Sequence, residues 1–166
     1  KLDNNILSIY ADGVRNSVGF DWHPETKEMY FTDNGRDWMG DDIPPCELNR
    51  VINAGDHFGF PFVHGKNIPD TGFEAPKDFV FSQPVWEFQA HTAPLGIKFY
   101  DGESFPEYYR NGAFVAQHGS WNRSEKVGYR LLFMKMEEGN VLSADVFIDG
   151  WMSNETSWGR PVTPLI

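Results

Sequence analysis

The segment Gly13-Val14-Arg15-Asn16-Ser17-Val18-Gly19-Phe20 leads from a glycine and a polar pair directly into a short apolar strand. Two later segments repeat this arrangement: His91-Thr92-Ala93-Pro94-Leu95-Gly96-Ile97-Lys98-Phe99 and Trp158-Gly159-Arg160-Pro161-Val162. In radial β-architectures, a long-period repeat returns polar groups to the same end of successive strands and builds a central site there. The repeat therefore predicts both a fold and the position of a site.

The composition favours a globular protein of short strands that binds neither nucleic acid nor an anionic membrane. The 166 residues carry a formal net charge of −10, whereas both of those partners require a basic surface. Aromatic residues make up 16% of the chain, together with 16 glycines and 11 prolines, as in strands joined by tight turns. No stretch approaches the roughly 20 apolar residues of a membrane-spanning helix.

The spacing of apolar residues predicts two successive groups of strands. Strands are expected at 6–10, 18–22, 29–32 and 47–52, followed by a long irregular stretch over 58–84. A second group is expected at 95–99, 112–117, 128–136 and 144–148, and residues 105–110 can form one helical turn. We interpret residues 1–166 as an all-β fragment of one partial β-propeller, with blades at approximately 14–90 and 91–157. Its two ends are expected to expose unpaired edges.

The strand-leading motifs resemble those of the soluble pyrroloquinoline quinone (PQQ) dehydrogenases, in particular the sorbosone and aldose sugar dehydrogenase branch. The matching pieces in the first half are Arg15-Asn16, Asp33-Asn34-Gly35-Arg36-Asp37, Gly40-Asp41-Asp42, Glu47-Leu48-Asn49 and Phe58-Gly59-Phe60-Pro61. Those in the second half are His91-Thr92-Ala93-Pro94-Leu95-Gly96, His118-Gly119-Ser120-Trp121-Asn122-Arg123 and Gly159-Arg160-Pro161-Val162. The resemblance covers nearly the whole chain and implies a six-bladed ring, of which this chain holds about two blades plus flanking strands.

Three arginines fall at corresponding ends of successive predicted strands and suit a ligand with several carboxylates. An arginine stays charged and offers planar paired donors, so Arg15, Arg123 and Arg160 would converge on PQQ if the repeat closes into a ring. The resemblance implies that Arg15, Asn16 and Arg160 contact this cofactor and that Arg123 adds a further basic contact. The alternative is that each arginine forms a structural ion pair at the surface.

The segment 33–42 is an oxygen-rich loop of the kind that binds hard cations. It is not an EF-hand, because Pro44 stands where the bidentate glutamate is required. The resemblance implies that the carbonyl groups of Gly35 and Arg36 hold Ca²⁺; the alternative is a solvated Asx-turn loop. The residues Asn34, Trp121 and His118 are candidates for the rim that contacts substrate. Cys46 stands where the family pattern has an acidic residue, so the chain departs from the pattern there.

No catalytic residue is expected within the chain. His118 and Ser120 lack a third, orienting group, so a hydrolase triad is not supported. The resemblance implies a catalytic histidine before the Arg-Asn motif, but residues 1–14 contain no histidine. We expect the chain to begin inside a folded repeat, so that its missing signal peptide carries no information. The resemblance implies a periplasmic or secreted protein.

The sequence therefore favours part of a quinoprotein oxidoreductase that oxidises an aldose or a sorbosone-like aldehyde. It supplies the rim for PQQ and Ca²⁺, lacks the base and would be inactive alone; an external electron acceptor is implied. Two alternatives stay open. One is a non-catalytic propeller that binds carbohydrate or protein partners, and the other is a calcium-dependent propeller lactonase, which would need carboxylates and asparagines at the ring centre.

Overall fold

The computed structural model describes residues 2–3 and 6–166, and nearly all of its regular structure is β-strand. In chain order the strands are β1 (Leu2–Asp3), β2 (Ile6–Leu7), β3 (Ala11–Asp12), β4 (Ser17–Trp22), β5 (Met29–Asp33), β6 (Cys46–Val51), β7 (Asp56–His57), β8 (Val63–His64), β9 (Ile68–Pro69), β10 (Trp86–Phe88), β11 (Pro94–Phe99), β12 (Ala113–Gln117), β13 (Arg130–Glu137), β14 (Asn140–Ile148), β15 (Met152–Ser153) and β16 (Thr156–Ser157). One 3₁₀ turn spans Glu107–Tyr109, inside the segment predicted to form a helical turn. Among the described residues, no helix is long and apolar enough to cross a membrane.

Two four-stranded antiparallel sheets form the body of the molecule. The first has the strand order β4-β5-β6-β10, and the second has the order β11-β12-β13-β14. They lie within 14–90 and 91–157 respectively. Each is a four-stranded propeller blade in which the strands lie side by side in chain order. The predicted all-β, partial-propeller fold is therefore confirmed.

The two blades pack face to face through one apolar core. Its members come from both sheets and include Tyr30 and Leu48 of the first and Phe99, Val115 and Met134 of the second. The rings of Tyr30 and Phe99 meet edge to face, with centroids 5.2 Å apart. Burial of this surface, worth roughly 25 cal/mol per Å² of apolar area, joins the blades into one unit.

Glycines at the heads of the leading strands let neighbouring blades approach closely. A Cβ atom on Gly19 would lie 2.2 Å from the carbonyl oxygen of Leu95, and one on Gly96 would lie 2.6 Å from the Cα of Thr163. The main-chain N–H of Gly96 also donates to the carbonyl of Val162, at 2.7 Å. The repeat seen in the sequence therefore corresponds to the point where successive blades touch.

The free side of β4 exposes an apolar face. The side chains of Val18, Phe20 and Trp22 are each about half exposed. It is the face of β4 opposite the one from which Gly19 and Asp21 contact the second blade; the unpaired edges expected at the two ends of the chain stay a prediction.

Most predicted strands are present with shifted ends, but strand β10 of the first blade and several two-residue strands were not predicted. Strand β10 completes the first blade by pairing Trp86–Phe88 with Cys46–Leu48. The segment predicted as a strand at 6–10 is shorter, because only Ile6–Leu7 pairs within it. Residues Ala11–Asp12, which directly follow this predicted strand, pair in parallel with Asp56–His57.

Candidate functional site

A cleft of about 350 Å³ opens at the heads of the two blades' leading strands. Seven of its lining residues were predicted as site residues from the sequence: Arg15, Asn16, Asn34, Gly35, His118, Trp121 and Arg160. It is also lined by Val18, Asp37, Cys46, His91, Ala93 and Leu95. The cleft therefore brings together residues from six separate stretches of the chain, including the first and the last copy of the strand-head repeat.

Asp33 fixes the main chain of the Arg15–Asn16 pair. Its two carboxylate oxygens accept hydrogen bonds from the main-chain N–H groups of Arg15, at 2.9 Å, and Asn16, at 2.6 Å. The amide of Asn34 donates to the carbonyl of Asn16 at 2.9 Å. Burial raises the pKa of Asp33, and the two main-chain hydrogen bonds oppose that change. A buried carboxyl group therefore holds this part of the cleft in place from behind.

The Arg15 side chain bridges the first blade's loop along the cleft wall. Its Nη1 donates to the carbonyl groups of Asn34, at 3.2 Å, and Gly35, at 2.9 Å, while Nη2 lies 3.1 Å from Asp37 Oδ2. The guanidinium group thus binds the carbonyl of Gly35, which the family resemblance implied to be a calcium ligand.

Arg160 reaches the cleft from the last described segment. Its guanidinium donates to the carbonyl groups of His118 and Gly119 and lies over the ring of Tyr129, 5.5 Å from the centroid. No ion pair joins it to a carboxylate anywhere in residues 2–3 and 6–166. Its positive charge is therefore compensated by carbonyl dipoles, which leaves it suited to an anionic ligand.

Two histidines line the cleft with one ring nitrogen engaged by a carbonyl oxygen. His118 Nδ1 lies 3.0 Å from the Pro161 carbonyl, and His91 Nε2 lies 2.7 Å from the Gly40 carbonyl. A carbonyl only accepts, so each of these nitrogens carries the proton.

Cys46 stands at the bottom of the cleft, where its side chain is almost fully buried. The main-chain N–H of Gly35 donates to its Sγ at 3.5 Å, and burial raises the pKa of the thiol. The residue is therefore a neutral, small apolar filler next to the cleft.

Arg123 does not line the cleft. Its guanidinium donates to the carbonyl of Asp41 and forms an ion pair with Asp42 at 2.9 Å, while the main-chain N–H of Ser124 donates to Asp41 Oδ1 at 3.1 Å. These contacts attach the loop between β5 and β6 to the loop between β12 and β13. Arg123 thus points away from the cleft because its guanidinium group binds the acidic loop of the neighbouring blade.

The Arg36 side chain also points away from the cleft. It forms an ion pair with Asp70, whose carboxylate lies 2.8 Å from His64 Nε2. Burial would raise the pKa of Asp70, but the hydrogen bonds from Arg36 and His64 outweigh it and hold that pKa below its usual value. Arg36 therefore fastens the cleft loop to the irregular segment after β6.

Glu47 is a buried acid behind the cleft that the sequence did not single out. It is 7% exposed, it pairs across the ladder with Asp33, and its oxygens accept from Gly65 N, at 2.6 Å, and Asn49 Nδ2, at 2.9 Å. Burial is the main cause that raises its pKa to about 7. The sequence signal was its position at the start of the strand predicted at 47–52, where the side chain faces either the core or solvent.

Within the described part of the chain, no group of three or more His, Cys, Asp or Glu side chains could hold a metal ion. The oxygen atoms available for a hard cation are instead main-chain carbonyls, of which those of Asn34 and Gly35 accept from Arg15. A cation there would have to displace the guanidinium group, so Ca²⁺ does not fit this arrangement of Arg15.

Comparison with known proteins places the chain in a family. Residues 49–146 match the TrAA12-like family. An uncharacterized protein of Borreliella burgdorferi is 48% identical over 159 residues, which is 93% of this chain and 42% of that protein. The chain thus spans less than half the length of this curated relative.

Two solved structures share the fold. The iodide structure of a Trichoderma reesei protein of carbohydrate-active enzyme family AA12 has a TM-score of 0.73 and 21% identity, over 92% of this chain and 48% of that chain. The holo form of the pyranose dehydrogenase PQQ domain from Coprinopsis cinerea has a TM-score of 0.64 and 17% identity, over 92% and 49%. At these identities the likeness concerns the fold.

Proposed function

Because this chain belongs to the TrAA12-like family, we propose that it is part of a PQQ-dependent dehydrogenase that oxidises an aldose or a sorbosone-like aldehyde. The family and the shared fold support an oxidoreductase of the quinoprotein type. We propose in addition the cofactor, the substrate and the roles of individual residues.

The observation that carries the proposal is the convergence of Arg15 and Arg160 on one cleft. The two residues come from opposite ends of the chain, and a site for a tricarboxylate needs several fixed cations. The cleft volume of about 350 Å³ lies within the range of about 300–1,000 Å³ for small-molecule sites. The residues present therefore fit PQQ, with Arg160 as the cation that lacks a carboxylate partner in the described chain.

In this proposal Arg15, Asn16 and Arg160 bind the cofactor's carboxylates. Asp33 and Asn34 keep the Arg15–Asn16 main chain in place through the hydrogen bonds described above. Arg123 contributes indirectly, because its contacts with Asp41 and Asp42 fix the loop that carries the cleft wall.

The chemistry supplied by bound PQQ is acceptance of the hydride from the sugar carbon. The hydroxyl proton of the substrate needs a separate acceptor, and the proposal assigns none to this chain. His118, Asn34 and Trp121 lie where they can orient the substrate by hydrogen bonding and ring contact.

Calcium stays part of the proposal under one condition. Gly35 and Arg36 can offer carbonyl oxygens to it only when Arg15 has left the carbonyls of Asn34 and Gly35. A carboxylate ligand for Arg15 would provide that exchange. We further propose an external electron acceptor and a periplasmic or secreted location for the whole protein.

Turnover of the full-length protein tests the function. It is incubated with PQQ, Ca²⁺, a panel of aldoses and aldehydes, and a dye acceptor, alongside the variants Arg15→Ala and Arg160→Ala. We expect sugar-dependent dye reduction that falls at least tenfold in both variants, since each loses a charge-assisted contact. The exposed Arg110, outside the cleft, gives the control Arg110→Ala. Absence of dye reduction with every sugar and aldehyde contradicts the proposal.

A further inference from the structure

Two exposed tryptophans stand at the mouth of the cleft. Trp121 lines the cleft and is 65% exposed, and Trp38 lies next to it and is 78% exposed. Their ring centroids are 5.9 Å apart and their planes meet at 81°. The two indoles thus form an edge-to-face corner, in which Trp121 lines the cleft and Trp38 stands next to it.

The backbone at Trp38 is held in a conformation that costs free energy for a bulky residue. Its φ angle is +68°, in the left-handed region that glycine tolerates best. Little of the indole is buried to offset this cost. Residues held in such conformations with an exposed side chain concentrate at binding sites.

Neighbouring contacts hold the Trp38 loop rigidly against the second blade. His91 Nε2 donates to the Gly40 carbonyl, and Arg123 contacts both Asp41 and Asp42. These contacts anchor the loop next to Trp38, so that less of the main chain has to be ordered when a ligand binds there.

The surroundings of the corner match the chemistry of a sugar ring. A pyranose has an apolar C–H face and a rim of hydroxyl donors. The indoles provide flat apolar surfaces, and Asp37, on the cleft wall and next to Trp38 in the chain, can accept from a hydroxyl group through the carboxylate oxygen that does not pair with Arg15. A large aromatic surface with a few placed polar groups is the composition of a small-molecule subsite.

We infer that Trp38 and Trp121 form a subsite for a second sugar ring, so that the cleft accepts a disaccharide or a longer oligosaccharide. The inference rests on the proposed function: with PQQ held between Arg15 and Arg160, the reducing-end ring lies against the cofactor at the mouth of the cleft, beside Trp121, and the next ring stacks in the indole corner. A monosaccharide would occupy the position beside Trp121 alone and make no use of Trp38.

Substitution of Trp38 by glycine is the sharpest test, because glycine removes the ring and relieves the backbone at once. In the full-length protein, Trp38→Gly is compared with wild type using glucose, maltose, cellobiose and cellotriose. We expect the unfolding midpoint to stay the same or rise. We expect KM to increase about five- to tenfold for the di- and trisaccharides, with less than a twofold change for glucose. The control Trp38→Phe keeps an aromatic ring and is expected to stay within about twofold of wild type for every sugar.

A binding measurement keeps the inference separate from the proposed function. Indole fluorescence of the full-length protein without added cofactor is titrated with maltose and cellobiose, and a Trp38-dependent change supports the subsite. Equal changes in KM for glucose and the disaccharides, or no change for either, overturn it. If wild type oxidises none of the four sugars, the proposed function is wrong, and the titration alone then decides: no Trp38-dependent signal overturns the subsite as well.

Discussion

Replacing Glu47 with glutamine removes a buried carboxyl group whose ionisation the folded protein opposes. Burial, aided by the nearby charges of Asp33 and Glu87, raises its pKa from 4.5 to about 7. Between these two pH values the folded protein keeps a proton on Glu47 that the unfolded chain has lost. The stability contributed by this group is therefore complete below pH 4.5 and is lost as the pH rises to 7.

The magnitude follows from the two pKa values. They differ by about 2.5, and one pKa unit corresponds to about 1.4 kcal/mol, so ionised Glu47 costs the folded state about 3 kcal/mol above pH 7. Glutamine carries no such cost, and its hydrogen bonds can be satisfied. Its oxygen accepts from Gly65 N, and its amide can donate to Asn49 Oδ1, a buried atom without a partner, once the Asn49 amide rotates.

Urea unfolding of the full-length protein at pH 4.5 and pH 8.5, followed by intrinsic fluorescence, measures the effect. Glu47→Gln should match wild type within about 1 kcal/mol at pH 4.5 and exceed it by about 2–3 kcal/mol at pH 8.5. Glu28→Gln is the control of opposite sign, because the hydrogen bonds from Arg50 lower the pKa of Glu28. That variant loses stability at pH 8.5. If the difference in the free energy of unfolding between wild type and Glu47→Gln is the same at both pH values, then ionisation of Glu47 does not destabilise the folded protein.

Two further substitutions test how the blades and loops are joined. Gly19→Ala should lower the free energy of unfolding by more than about 3 kcal/mol, because the new Cβ would meet the Leu95 carbonyl oxygen at 2.2 Å; a urea midpoint equal to wild type would contradict the tight contact. Arg123→Ala should cost only about 1 kcal/mol, since its partner Asp42 is largely exposed. It should nevertheless speed amide exchange of residues 36–42 by about tenfold, because the contacts with Asp41 and Asp42 are lost; unchanged exchange in mass-spectrometric measurements would show that other contacts hold the loop.

Strands could be predicted from the sequence where apolar and polar residues alternate over several positions. Most strands of only two or three residues could not. Period-two patterns at 18–22 and 95–99 identified the leading strand of each blade. Strand β10 has only three residues and follows a stretch rich in glycine and proline, so no period could develop. The parallel pairing of Ala11–Asp12 with Asp56–His57 depends on a distant segment, which local turn chemistry cannot show.

The cleft could be predicted in outline because the repeat places its residues at equivalent strand heads. The direction of individual side chains could not. Arg123 turns to Asp41 and Asp42, which belong to a loop of the other blade, and Arg36 turns to Asp70. Trp38 lies inside a run of acidic residues and glycines that reads as a solvated loop, so its exposed, left-handed position emerged only from the structure.

Arg160, which has no carboxylate partner among the described residues, should supply a cation for a carboxylate of the cofactor. Equilibrium titration of the full-length protein with PQQ, at fixed ionic strength, gives a Kd for wild type, Arg160→Ala and the control Arg110→Ala. We expect Arg160→Ala to raise the Kd at least tenfold, the loss expected for one charge-assisted contact, and Arg110→Ala to leave it unchanged. Equal affinity of wild type and Arg160→Ala, or no PQQ binding by wild type, would show that Arg160 does not have this role.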